Sequence, residues 1–327
     1  MTVFPLFRSL EKARAKTNLS LRIGGRLPDG YHELTSLMAT LALSDSLHLS
    51  LEGRPGRDGT WKVSSNAASL PEGPDNLAYR AAQVFFQASG LQPDAFSFEC
   101  RIEKAIPWEA GLGGGSADAA AVLRFLWQAW QGGLAEAGGL NPDRLSPDDL
   151  EAMALTCGAD VPFCLYGGLR YCRGVGQILS HPLAGSSWPV LLALPPLKIR
   201  TAEAFIALDR FREQDLTGNP EAGQDPGSLR GWQEALSRPE PAAAASLAVN
   251  DFLPLLAQRH GLLSDLICHM KEKGAGTASM SGSGPACFGL FAQEETRDQA
   301  ARDLALAFPR IRLIRTRLSP EPEDFPF

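Results

Sequence analysis

The chain has 327 residues, 44% of them hydrophobic, and a formal net charge of −6. That is apolar material for about two folded domains, and the acidic balance with no basic tract argues against a nucleic-acid binder. No apolar run approaches the roughly 20 residues a membrane span needs, and the N-terminus MTVFPLFRSLEKARAK lacks an apolar signal core with a small-residue cleavage site.

From the N-terminus, residues 13 to 24 read as a strand with Leu19, Leu21 and Ile23 on one face. Arg26 to His32 (RLPDGYH) is a Pro/Asp-Gly turn. Leu47, Leu49 and Leu51 mark another strand. Residues 53 to 75 read as loop with a strand at 61 to 64. Asn76 to Ser89 is helical, with Leu77, Ala81, Val84, Phe85 and Ala88 on one side and Gly90 as stop. Phe96, Phe98, Cys100 and Ile102 alternate with polar residues, which is period two. A glycine-rich run follows, then a helix carrying Val122, Leu123, Leu126, Trp127 and Trp130 that stops at Gly132-Gly133. Residues 132 to 147 form a Gly/Pro-rich insertion, and Pro147-Asp148-Asp149 opens the next helix.

A second half begins near residue 183. PVLLAL (189 to 194) is a buried strand, and Thr201 to Arg212 is helical. Residues 213 to 245 are polar, then Pro- and Ala-rich, with a composition compatible with partial disorder. Helices near 250 to 273 and 293 to 307 flank a strand at 286 to 291, and the last strand is 311 to 317. The mixture predicts an α+β or α/β protein, with no internal repeat. The six cysteines form no C-x-x-C pair and the five histidines no zinc pattern, so the thiols read as reduced core residues of a cytoplasmic protein.

The most informative stretch is AGLGGGSADAAA, residues 110 to 121. Gly111, Gly113, Gly114 and Gly115 let backbone N–H groups crowd together. The helix start that follows adds unpaired N–H groups and the positive end of the macrodipole. Strand, glycine loop and helix together make a cradle for an anion, most often a phosphate. A flexible linker is the alternative, but linkers rarely run straight into an apolar-striped helix. The loop is neither a Walker A loop nor a G-x-G-x-x-G fingerprint, and the kinase triplets HRD and DFG are absent.

Four further groups of residues stand out. Lys16 and Asn18, two apart on a strand, share a face; that face is either a solvated edge or part of a site. Asp160 in CGADVPF heads into apolar residues, where it is either a turn or helix-cap aspartate or a functional carboxylate. The stretch GAGTASMSGSGPACFGLF (274 to 291) places Ser281, Gly282, Ser283 and Gly284 before a strand, as a hydroxyl-rich turn or a second ligand loop. Tyr31 and His32 follow the Asp-Gly turn, either as surface residues or as groups that stack on and hydrogen-bond a base.

Taken together, the lysine strand, the PxxxGLGGGSxDAA loop (Pro107 to Ala120) and the MSGSG turn resemble the GHMP kinases over nearly the whole chain. Within that superfamily, ARAKTNLSLRIGGRLPDGYHEL, PDNLAYRAA, CGADVPFCLYGG with GVGQIL, and NDF after Val249 are similar to the kinases of 4-diphosphocytidyl-2-C-methyl-D-erythritol. The resemblance implies a two-domain α+β fold: an N-terminal ATP-binding domain (1–182) like ribosomal protein S5 domain 2, and a ferredoxin-like C-terminal substrate domain (183–327). It implies ATP and Mg²⁺ as cofactors and a cytidine diphosphate-linked methylerythritol as small-molecule substrate, with neither nucleic acid nor membrane as partner. Lys16 and Asp160 would be the catalytic pair. Pro107, Ala110, Gly111, Leu112, Gly113, Gly114, Gly115 and Ser116 would wrap the phosphates, with Asn76 and Lys104 near the nucleotide and Ser116 a metal contact. Asn18 would hold the methylerythritol hydroxyls, with Thr201 in the matching C-terminal stretch. Tyr31 and Phe205 would sandwich the cytosine, and His32 would bond its edge.

The sequence departs from the family pattern at Trp108 and Glu109, where small residues are frequent, at Ala117, where a second serine is common, and at Pro285, which lacks an N–H. Two other readings remain at this point: a GHMP-fold kinase for another small alcohol, and a GHMP-fold binding protein without catalysis.

Overall fold

Alternating apolar positions at the start of the chain fold into one long hairpin. In the computed structural model, residues 6–28, 30–53, 59–68, 70–214 and 228–323 are described. Strand β1 (Leu6–Arg26) runs antiparallel to β2 (His32–Gly53), from Leu6 opposite Glu52 to Arg26 opposite His32. Both strands extend well beyond the segments that apolar alternation marks, because register shifts after Arg14 and Asn18 interrupt the period. Around these shifts, residues 15 to 21 are all buried.

Strand β2 is the hub of the first sheet. Beside it lie β3 (Trp61–Ser65), β4 (Phe96–Glu103), β5 (Leu169–Arg173) and β6 (Ile178–Leu179), in the order β3-β4-β2-β5-β6, with β1 also paired to β2. Four helices share a core with this sheet: α1 (Leu77–Ser89), α2 (Gly114–Ala129), α4 (Pro147–Cys157) and the short α5 (Val161–Tyr166). That core holds Phe85, Phe86, Leu123, Leu126, Trp127, Trp130 and Phe163. Between α2 and α4 the chain makes a wide turn at Trp130–Leu134, broken by Gly133 at φ 107°, and a single helical turn, α3 (Ala135–Ala137).

The second sheet contains β7 (Pro189–Leu194), β8 (Thr277–Met280), β9 (Cys287–Leu290) and β10 (Arg312–Arg317), all antiparallel, in the order β10-β7-β9-β8. Helices α6 (Thr201–Gln214), α7 (Leu229–Leu236), α8 (Leu253–Arg259) and α9 (Gly261–Glu272) lie between β7 and β8, and α10 (Glu294–Ala307) lies between β9 and β10. This is the ferredoxin-like arrangement that the family resemblance implies. Residues 215 to 227, part of the stretch whose composition suggests disorder, fall outside the described residues.

All six β7 residues are buried, which explains its unbroken apolar run. One face, with Val190 and Leu192, joins Leu19, Leu37 and Leu41 of the first sheet; the other, with Leu191 and Ala193, meets Leu266, Met270 and Leu304 of the covering helices. The seam between the sheets is therefore an apolar core, and polar groups at its edge are held in fixed places.

Arg124 of α2 is one such fixed group. Its buried guanidinium donates to the carbonyls of Cys164 (2.8 Å) and Leu165 (3.4 Å) near the end of α5, and to that of Lys12 on β1 (3.1 Å). It therefore satisfies terminal helix carbonyls that have no partner within the helix. Replacing Arg124 with Met leaves those carbonyls unpaired and is expected to cost about 2 kcal/mol or more. The check is a lower urea midpoint with an unchanged slope.

Candidate active site

The glycine-rich run is a left-handed turn leading into α2. Gly111 has φ 78° and Gly113, the N-cap, has φ 69°. Both positions also lack room for a side chain. A Cβ on Gly111 would lie 2.7 Å from the Ser281 carbonyl oxygen, and one on Gly113 would lie 2.8 Å from Lys16 Cγ. Gly114, Gly115 and Ser116 are the first three residues of α2, so their N–H groups have no intrahelical acceptor and face the anion-favouring end of the dipole.

Lys16 runs beneath this loop. Its N–H donates to the Leu112 carbonyl (2.9 Å), and its Nζ lies 2.8 Å from Asn18 Oδ1 and 3.0 Å from Asp160 Oδ2. Lys16 and Asn18 are 4% and 3% exposed, so the solvated-edge alternative does not hold. Asn18 Nδ2 donates to Ser36 Oγ (2.8 Å), which donates to the Ser20 carbonyl (2.6 Å). Asp160 does occupy the N-cap position of α5, yet its carboxylate makes no capping bond and turns to Lys16. Its side chain remains 34% exposed, so part of the carboxylate is open to solvent.

The MSGSG turn forms the opposite wall. Ser281 Oγ donates to the Gly111 carbonyl (3.0 Å) and accepts from the Asn18 N–H (3.3 Å). Ala286 N–H, just past Pro285, reaches the Ala110 carbonyl (3.2 Å). Asn250 of the NDF block holds this turn, donating from Nδ2 to the Met280 and Gly282 carbonyls (2.7 and 2.8 Å). Thr201 Oγ1 and Ser283 Oγ are 2.8 Å apart. Asn250 lies in the quoted NDF block, which by itself gives it no role, and Ser36 is a structural partner that no motif identifies.

Lys104 is committed to carboxylates. Its Nζ donates to Asp118 Oδ2 (2.8 Å) and to Asp45 Oδ2, while Asp45 Oδ1 accepts from the N–H groups of Ala105 and Ile106 (2.6 and 2.9 Å). This buried cluster pins the chain on both sides of the glycine loop, at 104–106 before it and at Asp118 on α2 after it. A Cβ on Gly114 would lie 3.3 Å from Lys104 Nζ, so the ammonium sits close under the loop. Burial raises the Asp118 pKa to about 7, against Lys104, which lowers it, and with Asp45, which raises it again. Burial pulls Lys104 down, but Asp118 and Asp45 outweigh it and hold the ammonium above its ordinary value. Two acids share one cation, so the cluster takes up a proton readily. Asp118 Oδ1 has no hydrogen-bond partner among the described residues. Asp118 is the aspartate of the GLGGGSxDAA motif, to which the motif alone gives no role, and Asp45 is a residue that pattern reading passed over; its signal was a carboxylate inside the alternating run LALSDSLHL.

Asn76 is the N-cap of α1: its Oδ1 accepts from Ala78 N–H (2.9 Å) and its Nδ2 donates to the Pro71 carbonyl (2.8 Å). Leu77, next in the chain, lies against Gly115, which puts the start of α1 beside the loop. Ser116 is half-buried. No group of three or more His, Cys, Asp or Glu side chains among the described residues could hold a metal ion. Glu109, at φ 55°, turns its carboxylate to the surface, 3.7 Å from Lys198 Nζ, and Trp108 is half exposed.

At the tip of the β1–β2 hairpin, the His32 and Phe205 rings are stacked 4.9 Å apart, and Phe205 meets Phe252 edge-on. His32 Nε2 lies 2.8 Å from Asp209 Oδ1. Tyr31, beside them in sequence, is 64% exposed. The tertiary fold thus brings Lys16, Asn18, Asp160 and the glycine loop together, while His32 and Phe205 form a separate aromatic pair, with Tyr31 exposed next to His32 in the chain.

Family models match in both halves of the chain: the GHMP kinases N-terminal domain at residues 76–168 and the GHMP kinases C-terminal domain at 235–310. A 4-diphosphocytidyl-2-C-methyl-D-erythritol kinase of Synechococcus sp. (strain JA-3-3Ab) is 37% identical over 313 residues, covering 94% of this chain and 93% of that protein. The kinase of the same name from Pelotomaculum thermopropionicum is 34% identical over 304 residues, covering 93% and 96%. A crystal structure of 4-(cytidine 5'-diphospho)-2C-methyl-D-erythritol kinase superposes with a TM-score of 0.70 at 32% identity, over 95% of this chain and 99% of that one.

Two outcomes test this site. Gly111→Ala forces a side chain against two carbonyls at positive φ, at a cost of about 1–3 kcal/mol; weaker ATP binding in a direct titration is expected. Between about pH 4 and 7 folded Asp118 holds a proton that the unfolded chain has lost, so this group's contribution to stability falls as pH rises through that window. Asp118→Asn is expected to flatten that part of the urea-midpoint profile.

Proposed function

The chain belongs to the GHMP kinases and, within them, to the 4-diphosphocytidyl-2-C-methyl-D-erythritol kinase family, and from that premise we propose how its cleft works. The protein is an ATP-dependent kinase that phosphorylates the 2-hydroxyl of 4-diphosphocytidyl-2-C-methyl-D-erythritol, a step of the non-mevalonate route to isoprenoid precursors. The observation that carries the mechanism is the Lys16–Asp160 contact at 3.0 Å, directly beneath the glycine loop.

Phosphoryl transfer asks little covalent chemistry of the protein; positioning and charge stabilisation supply most of the rate. The N–H groups of Gly114, Gly115 and Ser116 bind the ATP phosphates at the start of α2, in the loop that Pro107, Ala110, Gly111, Leu112 and Gly113 shape. Asn76 and Lys104 act there by holding α1 and the loop in place. The exposed edge of Asp160 accepts the hydrogen bond of the acceptor hydroxyl, and so orients or deprotonates it. Lys16 fixes Asp160 and lies close enough to the loop to offset charge developing on the transferring group. Asn18, itself fixed by Lys16 and Ser36, offers hydrogen bonds to the methylerythritol hydroxyls, with Thr201 across the cleft. The aromatic end, Tyr31, His32 and Phe205, takes the cytosine.

Magnesium entering with ATP would neutralise charge on its phosphates, and Ser116 would offer its hydroxyl to that ion. We assign residues 1–182 to the nucleotide domain and 183–327 to the substrate domain. No described helix is long and apolar enough to cross a membrane; with every described cysteine a free thiol, we place the enzyme in the cytoplasm.

The test is ADP release from Mg-ATP with the cytidyl substrate, run beside mevalonate, homoserine and galactose. Turnover is expected only with the cytidyl compound, and Asp160→Ala is expected to lower kcat by about 100-fold or more. Comparable turnover with another acceptor overturns the substrate assignment, and an active Asp160→Ala variant overturns the role of the aspartate.

A further inference from the structure

His32 does more than line the aromatic end, because one of its two ring nitrogens is already used. Nε2 lies 2.8 Å from Asp209 Oδ1, and the His32 side chain is only 7% exposed. A carboxylate is an acceptor, so the neutral imidazole beside it carries its proton on Nε2 and its lone pair on Nδ1. The plane of the ring is fixed as well, and within it the Asp209 bond selects the nitrogen that faces the carboxylate. The ring face is stacked on Phe205 at 19°, and Phe205 is held edge-on by the buried Phe252.

The support comes from one stripe of α6. Thr201, Phe205 and Asp209 follow each other at intervals of four, so they lie on one helix face. Thr201 meets Ser283, Phe205 stacks on His32, and Asp209 bonds His32. One turn on, Arg212 ties the same helix to β1, donating to the Ile23 carbonyl (2.8 Å) and to Asp251 (3.2 Å). The helix that sets the tautomer is thus anchored to the strand that carries the catalytic lysine.

We propose that Asp209 is a positioning residue that makes the enzyme read cytosine rather than uracil, by fixing His32 as a hydrogen-bond acceptor at Nδ1. This rests on the cytidyl reading of the aromatic end. The two bases differ where an acceptor can tell them apart: cytosine presents an amino group at position 4, and uracil a carbonyl. An Nδ1 lone pair accepts from the amino group and opposes the carbonyl oxygen, and a site built for a substrate N–H discriminates strongly against an analogue without it.

Inhibition by CDP and UDP, measured against the cytidyl substrate, tests the proposal in wild type, Asp209→Leu and Asp209→Glu. Wild type is expected to favour CDP by about 10-fold or more. Asp209→Leu should bring the two constants within about threefold of each other, raising KM for the cytidyl substrate more than it lowers kcat. Asp209→Glu, which keeps a carboxylate on the same helix face, should recover the preference. Nitrogen NMR of His32 should show the Nε2–H tautomer in wild type and a mixture in Asp209→Leu, a change that a purely structural role would not produce. An undiminished CDP preference in Asp209→Leu, or an Nδ1–H tautomer in wild type, overturns the proposal. Wild type that turns over the cytidyl substrate without preferring CDP overturns the role of Asp209 alone. Wild type that neither turns over that substrate nor binds CDP overturns the cytidyl reading beneath it.

Discussion

A buried ammonium needs a partner, and the rest of this site is arranged around that need. Lys16 is 4% exposed, and an isolated charge at that depth would be prohibitive. Asn18 and Asp160 supply the compensation from two different elements, the strand itself and the start of α5. Room for the lysine stem comes from Gly113, where any Cβ would collide with it. The catalytic pair and the phosphate cradle are therefore one structural unit: moving the loop would strip the lysine of its cover, and moving α5 would strip it of its counter-charge.

The same logic extends outward in layers. Arg124 holds the end of α5, whose start carries Asp160. The Asp45–Lys104–Asp118 cluster holds the glycine loop at both of its ends. Asn250 and Ser281 fasten the second sheet's turn onto the loop and onto β1. Each of these polar groups is buried or nearly so, and a buried polar group adopts the geometry its partners allow. Precision at the cleft thus comes from satisfied hydrogen bonds around its rim, set on an apolar seam in which β7 is buried on both faces.

The departures from the family pattern also resolve in this frame. Glu109 turns its carboxylate to the surface near Lys198, away from the loop's N–H groups. Pro285 gives up its own donor, but Ala286 beside it supplies one to Ala110. Ala117 is buried, in a place where a hydroxyl would need a partner.

Local chemistry was legible in the sequence wherever a residue type constrains its own backbone or a single face. The strand–glycine–helix passage, the cap at Asn76, the alternating strand at 96–103 and the apolar β7 all follow from period, propensity and the conformational freedom of glycine. The long hairpin was only partly legible, because the register shifts after Arg14 and Asn18 break the alternation that pattern reading depends on. The two residues of β6 are too few for any period to register, and β5 and β8 lie where neighbouring glycine- and serine-rich segments mask a strand signal. Asp160 could be a cap or a catalytic group on sequence grounds, and Lys16 a surface residue or a buried one. Only the tertiary fold decides both, because what distinguishes the alternatives is a 3.0 Å contact between residues 144 positions apart. Asp45, Asp118, Asn250 and Asp209 belong to the same class: each acts through a partner that folding, not spacing, brings within reach. The sequence by itself determined which kinds of residue were available and how the chain runs locally; the tertiary structure decided which of them face one another, since burial and pairing are properties of the packed chain.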